Sequence, residues 1–142
     1  ESEQLIYDTV HQDAEAVAVQ IEKIHAEEAP LYYNNEQSLR SVIKRAYFSY
    51  ADEYLKFEEL PAGDGYADIV YLPKKDSPLP ALVIELKWNK SAEGAIEQIK
   101  DRRYPDALKG YGGEILLVGL NYSKDAPIGN RKHTCRIEKC YE

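Results

Sequence analysis

The chain has 142 residues, 44% apolar and 30% charged, with 25 acidic against 18 basic side chains and a net charge of −7. That length suits one compact domain with a core of its own. The charge excludes nucleic-acid binding by bulk electrostatics alone, so such a contact needs a local basic patch, a bound metal or another domain. No run of about 18 apolar residues reaches membrane-spanning length.

In chain order, Ile6, Val10, Val17, Ile21 and Ile24 recur at steps of three, four and seven, which predicts one amphipathic helix running to about His25 and closed by Pro30. Asn34 or Asn35 caps a second helix with Leu39, Val42, Ile43, Ala46 and Tyr50 inward. From Tyr54 the period changes to two, with Leu55 and Phe57 alternating with charged residues, and the run Pro61-Ala62-Gly63-Asp64-Gly65 makes a turn. A second strand is predicted over 66–72 and a third over 81–88, the latter apolar enough for the middle of a sheet. Asn89 or Ser91 opens a helix with Ala92, Ala95, Ile96 and Ile99 inward, interrupted by Pro105, with a further turn reaching about Tyr111. A buried strand over 114–120 and a short one over 133–137 complete the order. Short loops between the first three strands imply an antiparallel meander, and the helical crossover implies a fourth strand parallel to the third. The class is therefore α/β.

Alternation decides which side chains meet. Val83, Glu85 and Lys87 share one face of the third strand, and Asp68 shares a face of the second with Tyr66 and Val70. A charged pair within Ala-Leu-Val-Ile-Glu-Leu-Lys-Trp is costly to bury without partners, and such a break in a sequence's own pattern points to function. Asp68, Glu85 and the main-chain carbonyl of Leu86 make a hard oxygen donor set suited to Mg²⁺ or Mn²⁺. Such an ion polarises a phosphoryl oxygen and lowers the pKa of bound water, while Lys87 offsets charge that develops on phosphorus. A lone Glu-x-Lys on a strand is equally a structural pair on a half-exposed face; the accompanying aspartate strand is what favours the metal reading.

Glycine through valine at 65–70, followed after a loop by Val83-Ile84-Glu85-Leu86-Lys87, resembles the PD-(D/E)XK nuclease superfamily. The α-β-β-β-α-β order, with an extra N-terminal helix, is similar to that superfamily's restriction-endonuclease-like core, a mixed sheet flanked by helices. Residues 32–137 also resemble the nuclease-like domain that follows an AAA-ATPase-like domain in many bacterial proteins. That similarity also includes Asn35-Glu36, Ala95-Ile96-Glu97-Gln98-Ile99 with Tyr104, Leu117-Val118-Gly119 and Lys132-His133-Thr134-Cys135. The resemblance implies that Asp68 and Glu85 are metal ligands, that Glu36 assists them, and that Lys87 is the catalytic lysine. It further implies that Gln98 and Tyr104 hold lysine or substrate, although their spacing is longer than in recombination-type relatives. Ala67 stands where the motif has proline, a departure confined to the loop. Lys90, Lys100, Arg102, Arg103, Arg131 and Lys132 are the local cations, read either as phosphate contacts or as plain solvated charges, with Arg102 and Arg103 next to Tyr104.

The expected function is metal-dependent hydrolysis of nucleic acid, DNA favoured, in concert with an ATPase-like domain. The alternative is a nuclease fold kept as a silent binding module. The division expected is 1–30 as a helix that docks the ATPase-like domain or a second copy, and 31–142 as the nuclease-like domain. The absence of methionine fits an excised domain of a longer protein. Cys135 and Cys140, about 16 Å apart if extended and facing opposite sides, do not form an internal disulfide, and free thiols favour the cytoplasm. His11, His25 and His133 show no zinc-ligand spacing.

Overall fold

The computed structural model describes residues 2–28, 40, 41, 43, 44, 46, 47, 54–62, 65–101, 108, 111–127 and 132–140, with backbone alone for 2, 3, 26–28, 57–62 and 65–68. Five strands form one sheet in the order β1 (Tyr54–Ala62), β2 (Gly65–Pro73), β3 (Ala81–Trp88), β4 (Ile115–Tyr122), β5 (His133–Lys139). The meander is antiparallel through β3, β3 and β4 run parallel, and β5 returns antiparallel, as the loop lengths predict. Helix α3 (Ala92–Asp101) supplies the β3–β4 crossover. The architecture is α/β with a mixed sheet, consistent with the restriction-endonuclease-like arrangement.

Strand alternation splits the core into two layers. Ile69, Leu82, Ile84, Leu86 and Val118 pack on one face against Leu5, Ile6, Val17 and Ile21 of the N-terminal helices and against Ile43 and Tyr47. Val70, Val83, Ile115 and Leu117 pack on the other against Ile96 and Ile99 of α3. β4 is buried along its whole length, as the middle of a sheet covered on both faces requires.

The N-terminal segment departs from the single helix expected. It forms α1 (Ser2–Val10) and α2 (Ala14–Glu28), broken where Gln12 takes a left-handed φ of 61°. Asp13 then caps α2, its Oδ1 accepting the Ala16 N–H at 3.2 Å and its carbonyl the Val17 N–H at 3.1 Å. The break preserves the apolar spacing across 10–17 while turning the chain back, so both helices reach the same core. The predicted cap at Asn34 or Asn35, and Leu39, Val42, Tyr50 and Pro105, lie outside the described residues. No helix among the described residues is long and apolar enough to cross a membrane.

Candidate active site

The site is built on the C-terminal half of β3. Glu85 and Lys87 continue the parity of Val83 and so fall on the face covered by α3. Glu85 is 2% exposed and Lys87 half-buried. α3 forms because Ala92, Ala95, Ile96 and Ile99 present one buried stripe, and Ser91 caps it by accepting the Gly94 N–H at 2.9 Å. Glu93 in its first turn and Lys100 in its last suit the helix dipole.

Nearly two turns into that helix, Gln98 reaches back to the strand. Its Nε2 donates to Glu85 Oε2 and its Oε1 accepts from Lys87 Nζ. The orientation of the amide follows from chemistry, since an ammonium requires an acceptor and a carboxylate a donor. One side chain therefore ties a buried acid to an amine two residues away on the same strand face. This reduces the cost of burying that acid.

β4 lets the helix come close enough for this. Gly119 pairs with Glu85 in the parallel ladder, and a Cβ on it would lie 2.5 Å from the Ala92 carbonyl oxygen and 3.0 Å from Ala95 Cβ. Next on the same parity, Asn121 pairs with Lys87 and is 4% exposed. Its Oδ1 accepts the Lys90 N–H at 3.0 Å and its Nδ2 donates to Ser123 Oγ at 3.0 Å, so it links the loops that follow β3 and β4.

Of the sequence-predicted residues, the structure brings Glu85, Lys87 and Gln98 together. Asp68 lies on β2 one residue before Ile69, and Glu85 lies one residue after Ile84, the partner of Ile69; the two positions thus follow the β2–β3 ladder in register. For Asp68 only the backbone is described. The Leu86 carbonyl belongs to β3 between Glu85 and Lys87, and its side chain lies in the opposite core layer. Glu36, Arg102, Arg103, Tyr104 and Arg131 lie outside the described residues. Among the described residues no group of three or more His, Cys, Asp or Glu side chains is arranged to hold a metal. The donors described at this place, the Glu85 carboxylate and the Leu86 carbonyl, are hard oxygens of the kind that Mg²⁺ and Mn²⁺ take. Lys100 is not a free cation: its Nζ lies 3.0 Å from Glu138 Oε1, which also holds it above its ordinary pKa.

A family model for the PD-(D/E)XK nuclease superfamily matches residues 34–131, more than two thirds of the chain. The chain belongs to this superfamily. Members of this superfamily are usually nucleases and generally use divalent metal ions, so membership points to nuclease-type chemistry with nucleic acid as substrate. Among curated proteins no relative matches the chain.

A second polar cluster lies on the other face of the sheet; of its members only His133 stands in a stretch that the resemblance includes. His133 Nδ1 is 3.0 Å from Glu22 Oε1, and His133 Nε2 is 2.7 Å from His25 Nδ1. With Glu22 ionised the donors must run from His25 Nδ1–H to His133 Nε2 and from His133 Nδ1–H to Glu22. That leaves His25 Nε2 as a buried lone pair with no hydrogen-bond partner among the described residues. Burial and the neighbouring His133 push His25 down to about 4, and burial lowers His133 despite Glu22. Glu22 itself is lowered by its hydrogen bonds to His133 and Lys132, against the opposing effect of its partial burial. His25 and His133 are 108 positions apart, with no spacing motif to connect them.

Proposed function

We propose that this chain hydrolyses phosphodiester bonds of DNA, with Glu85, Lys87 and Gln98 as the centre of the site and Asp68 as its second carboxylate. The single observation that carries the reading is the Gln98 amide joining buried Glu85 to Lys87, within a family of nucleases. A purely structural Glu–Lys pair would be expected at an exposed face, whereas Glu85 is 2% exposed and sits against the helix crossover.

In this reading Asp68, Glu85 and the Leu86 carbonyl hold Mg²⁺ or Mn²⁺, with Glu36 assisting from the second predicted helix. When bound, the ion supplies Lewis-acid polarisation of the phosphoryl group and a more acidic water. Gln98 holds Lys87 Nζ close to Glu85, and the ammonium offsets negative charge that develops on the phosphoryl oxygens. Its half-buried position strengthens that interaction relative to bulk water. Tyr104, Arg102 and Arg103 contact substrate. The whole protein works, on this proposal, in the cytoplasm with an ATPase-like domain, a reading supported by the similarity of 32–137 to domains so joined, and residues 1–30 form the docking segment.

The test is cleavage of supercoiled plasmid and of single-stranded DNA with and without Mn²⁺. Lys87→Ala is expected to lower the rate by about 10²–10³, the usual loss for one preorganised charge, in a protein still folded at the assay temperature. Calorimetric Mn²⁺ binding should be lost in Asp68→Ala and Glu85→Ala. A parent that binds no Mn²⁺ and leaves both substrates intact refutes the proposal. The net charge of −7 favours the second reading, a nuclease fold retained for binding alone. Cleavage abolished by Lys87→Ala excludes it.

A further inference from the structure

We propose that Lys90, Lys124 and Lys132 form a phosphate-contacting rim that guides a DNA strand onto the Glu85–Lys87 centre; this rests on the nuclease reading above. The three lysines come from different loops, yet the structure ties those loops into one unit. Asn89, held at a left-handed φ of 57°, accepts the Lys124 N–H on its Oδ1 at 2.8 Å. Asn121 Oδ1 accepts the Lys90 N–H at 3.0 Å. The Ser123 N–H donates to the Lys132 carbonyl at 2.8 Å. The rim thus lies at the C-terminal end of the parallel β3–β4 pair, where open α/β sheets place their ligands. Lys90 is three residues beyond Lys87, within about 10 Å along the chain.

Charge distinguishes this rim from the cations of the neighbouring α3 and β5. The cations on α3 and β5 are ion-paired: Lys100 and Arg136 share Glu138 at 3.0 and 2.9 Å, and Lys139 pairs with Glu114 at 3.2 Å. Lys90, Lys124 and Lys132 are exposed and have no ion pair among the described residues; the carboxylates beside them are exposed Asp125, adjacent in sequence, Glu93 in the first turn of α3, and Glu22, which accepts the Lys132 N–H at 2.9 Å. The N-terminus of α3, capped by Ser91, opens at the same rim and adds the positive end of a helix dipole. A chain of net charge −7 that keeps three cations unpaired beside a nuclease centre has the local patch that a polyanion requires. Lys74 and Lys75 are likewise exposed and without an ion pair, but they lie in the β2–β3 loop, at the opposite end of β3. They provide the control.

The experiment measures binding of a short duplex to the 142-residue chain in EDTA, from about 50 to 200 mM salt. Three proteins are compared: the parent, Lys90→Ala/Lys124→Ala/Lys132→Ala, and Lys74→Ala/Lys75→Ala. The slope of log K against log salt is expected to become shallower by about 2 to 3 in the rim variant, near 0.9 for each lost phosphate contact. The control should retain the parent slope. A rim variant with the parent slope, or a control that falls as far per lysine, overturns the rim. The nuclease reading then still stands if the parent cleaves with Mn²⁺. A parent that neither binds nor cleaves overturns both.

Discussion

Gly119→Ala tests whether the close seating of α3 on β4 is what assembles the site. The added Cβ would lie 2.5 Å from the Ala92 carbonyl oxygen, 3.0 Å from Ala95 Cβ and 3.1 Å from Ile96 Cγ1. The first contact is backbone, so no rotamer change relieves it. Opening it to an ordinary carbon–oxygen approach of about 3.3 Å moves the helix or strand by roughly 0.8 Å. Overpacking of this kind destabilises by about 1–3 kcal/mol, which for a domain of this size lowers Tm by roughly 3–10 °C. Because Gly119 pairs with Glu85 and Gln98 lies on the displaced helix, the amide bridge lengthens as well. A displacement near 1 Å at a catalytic centre can reduce the rate about 10²-fold, so cleavage should fall more than stability alone explains. Differential scanning calorimetry and plasmid cleavage with Mn²⁺, both at a temperature where each protein is folded, separate the two effects. Gly94→Ala is the control, since its Cβ meets only the Ser91 side-chain oxygen at 2.9 Å and helix propensity favours alanine. Equal Tm values for Gly119→Ala and the parent, or equal damage from Gly94→Ala, would refute the reasoning.

Gln98→Leu removes the amide from Glu85 and Lys87; we expect about 1–3 kcal/mol of destabilisation by urea titration and a cleavage rate well below the parent's, whereas parent-like cleavage would detach Gln98 from function. Tyr47 is fully buried, and its hydroxyl lies 2.8 Å from Thr9 Oγ1, which itself donates to the Leu5 carbonyl at 2.7 Å. Tyr47→Phe should therefore lower stability by about 1 kcal/mol in urea unfolding without altering cleavage. Acid should destabilise the docking of α2. His25 falls from 6.5 to about 4 on folding, so the unfolded chain binds the extra proton, and stability complete above pH 6.5 is lost as pH falls toward 4. The lowered His133 acts in the same direction, while Glu22, lowered below 4.5, begins to lose its contribution only at the acid end of that window. The slope approaches about 1.4 kcal/mol per pH unit for each proton, and urea midpoints measured between pH 7 and 5 should show His25→Leu with a flatter dependence than the parent.

Much of the site was legible because strand alternation is local and rigid. The spacing of Val83, Glu85 and Lys87 placed the charged pair on one face, and the apolar stripe of Ala92, Ala95, Ile96 and Ile99 identified the buried side of α3. The resemblance named Gln98 as a holder of lysine or substrate, but not its hydrogen bond to Glu85. The break between α1 and α2 was missed because Leu5, Ile6, Val17 and Ile21 keep helical spacing across it. The signal was Asp13, a capping residue inside the pattern.

Sequence by itself determined the periods, and with them the elements, the faces and the antiparallel-then-parallel course of the sheet, because these depend on backbone geometry within a few residues. Tertiary structure decided what required distant parts of the chain to meet. The approach of α3 over Gly119, the linking of Asn89 to Lys124, and the contact of His25 with His133 depend on packing distances that no local pattern encodes.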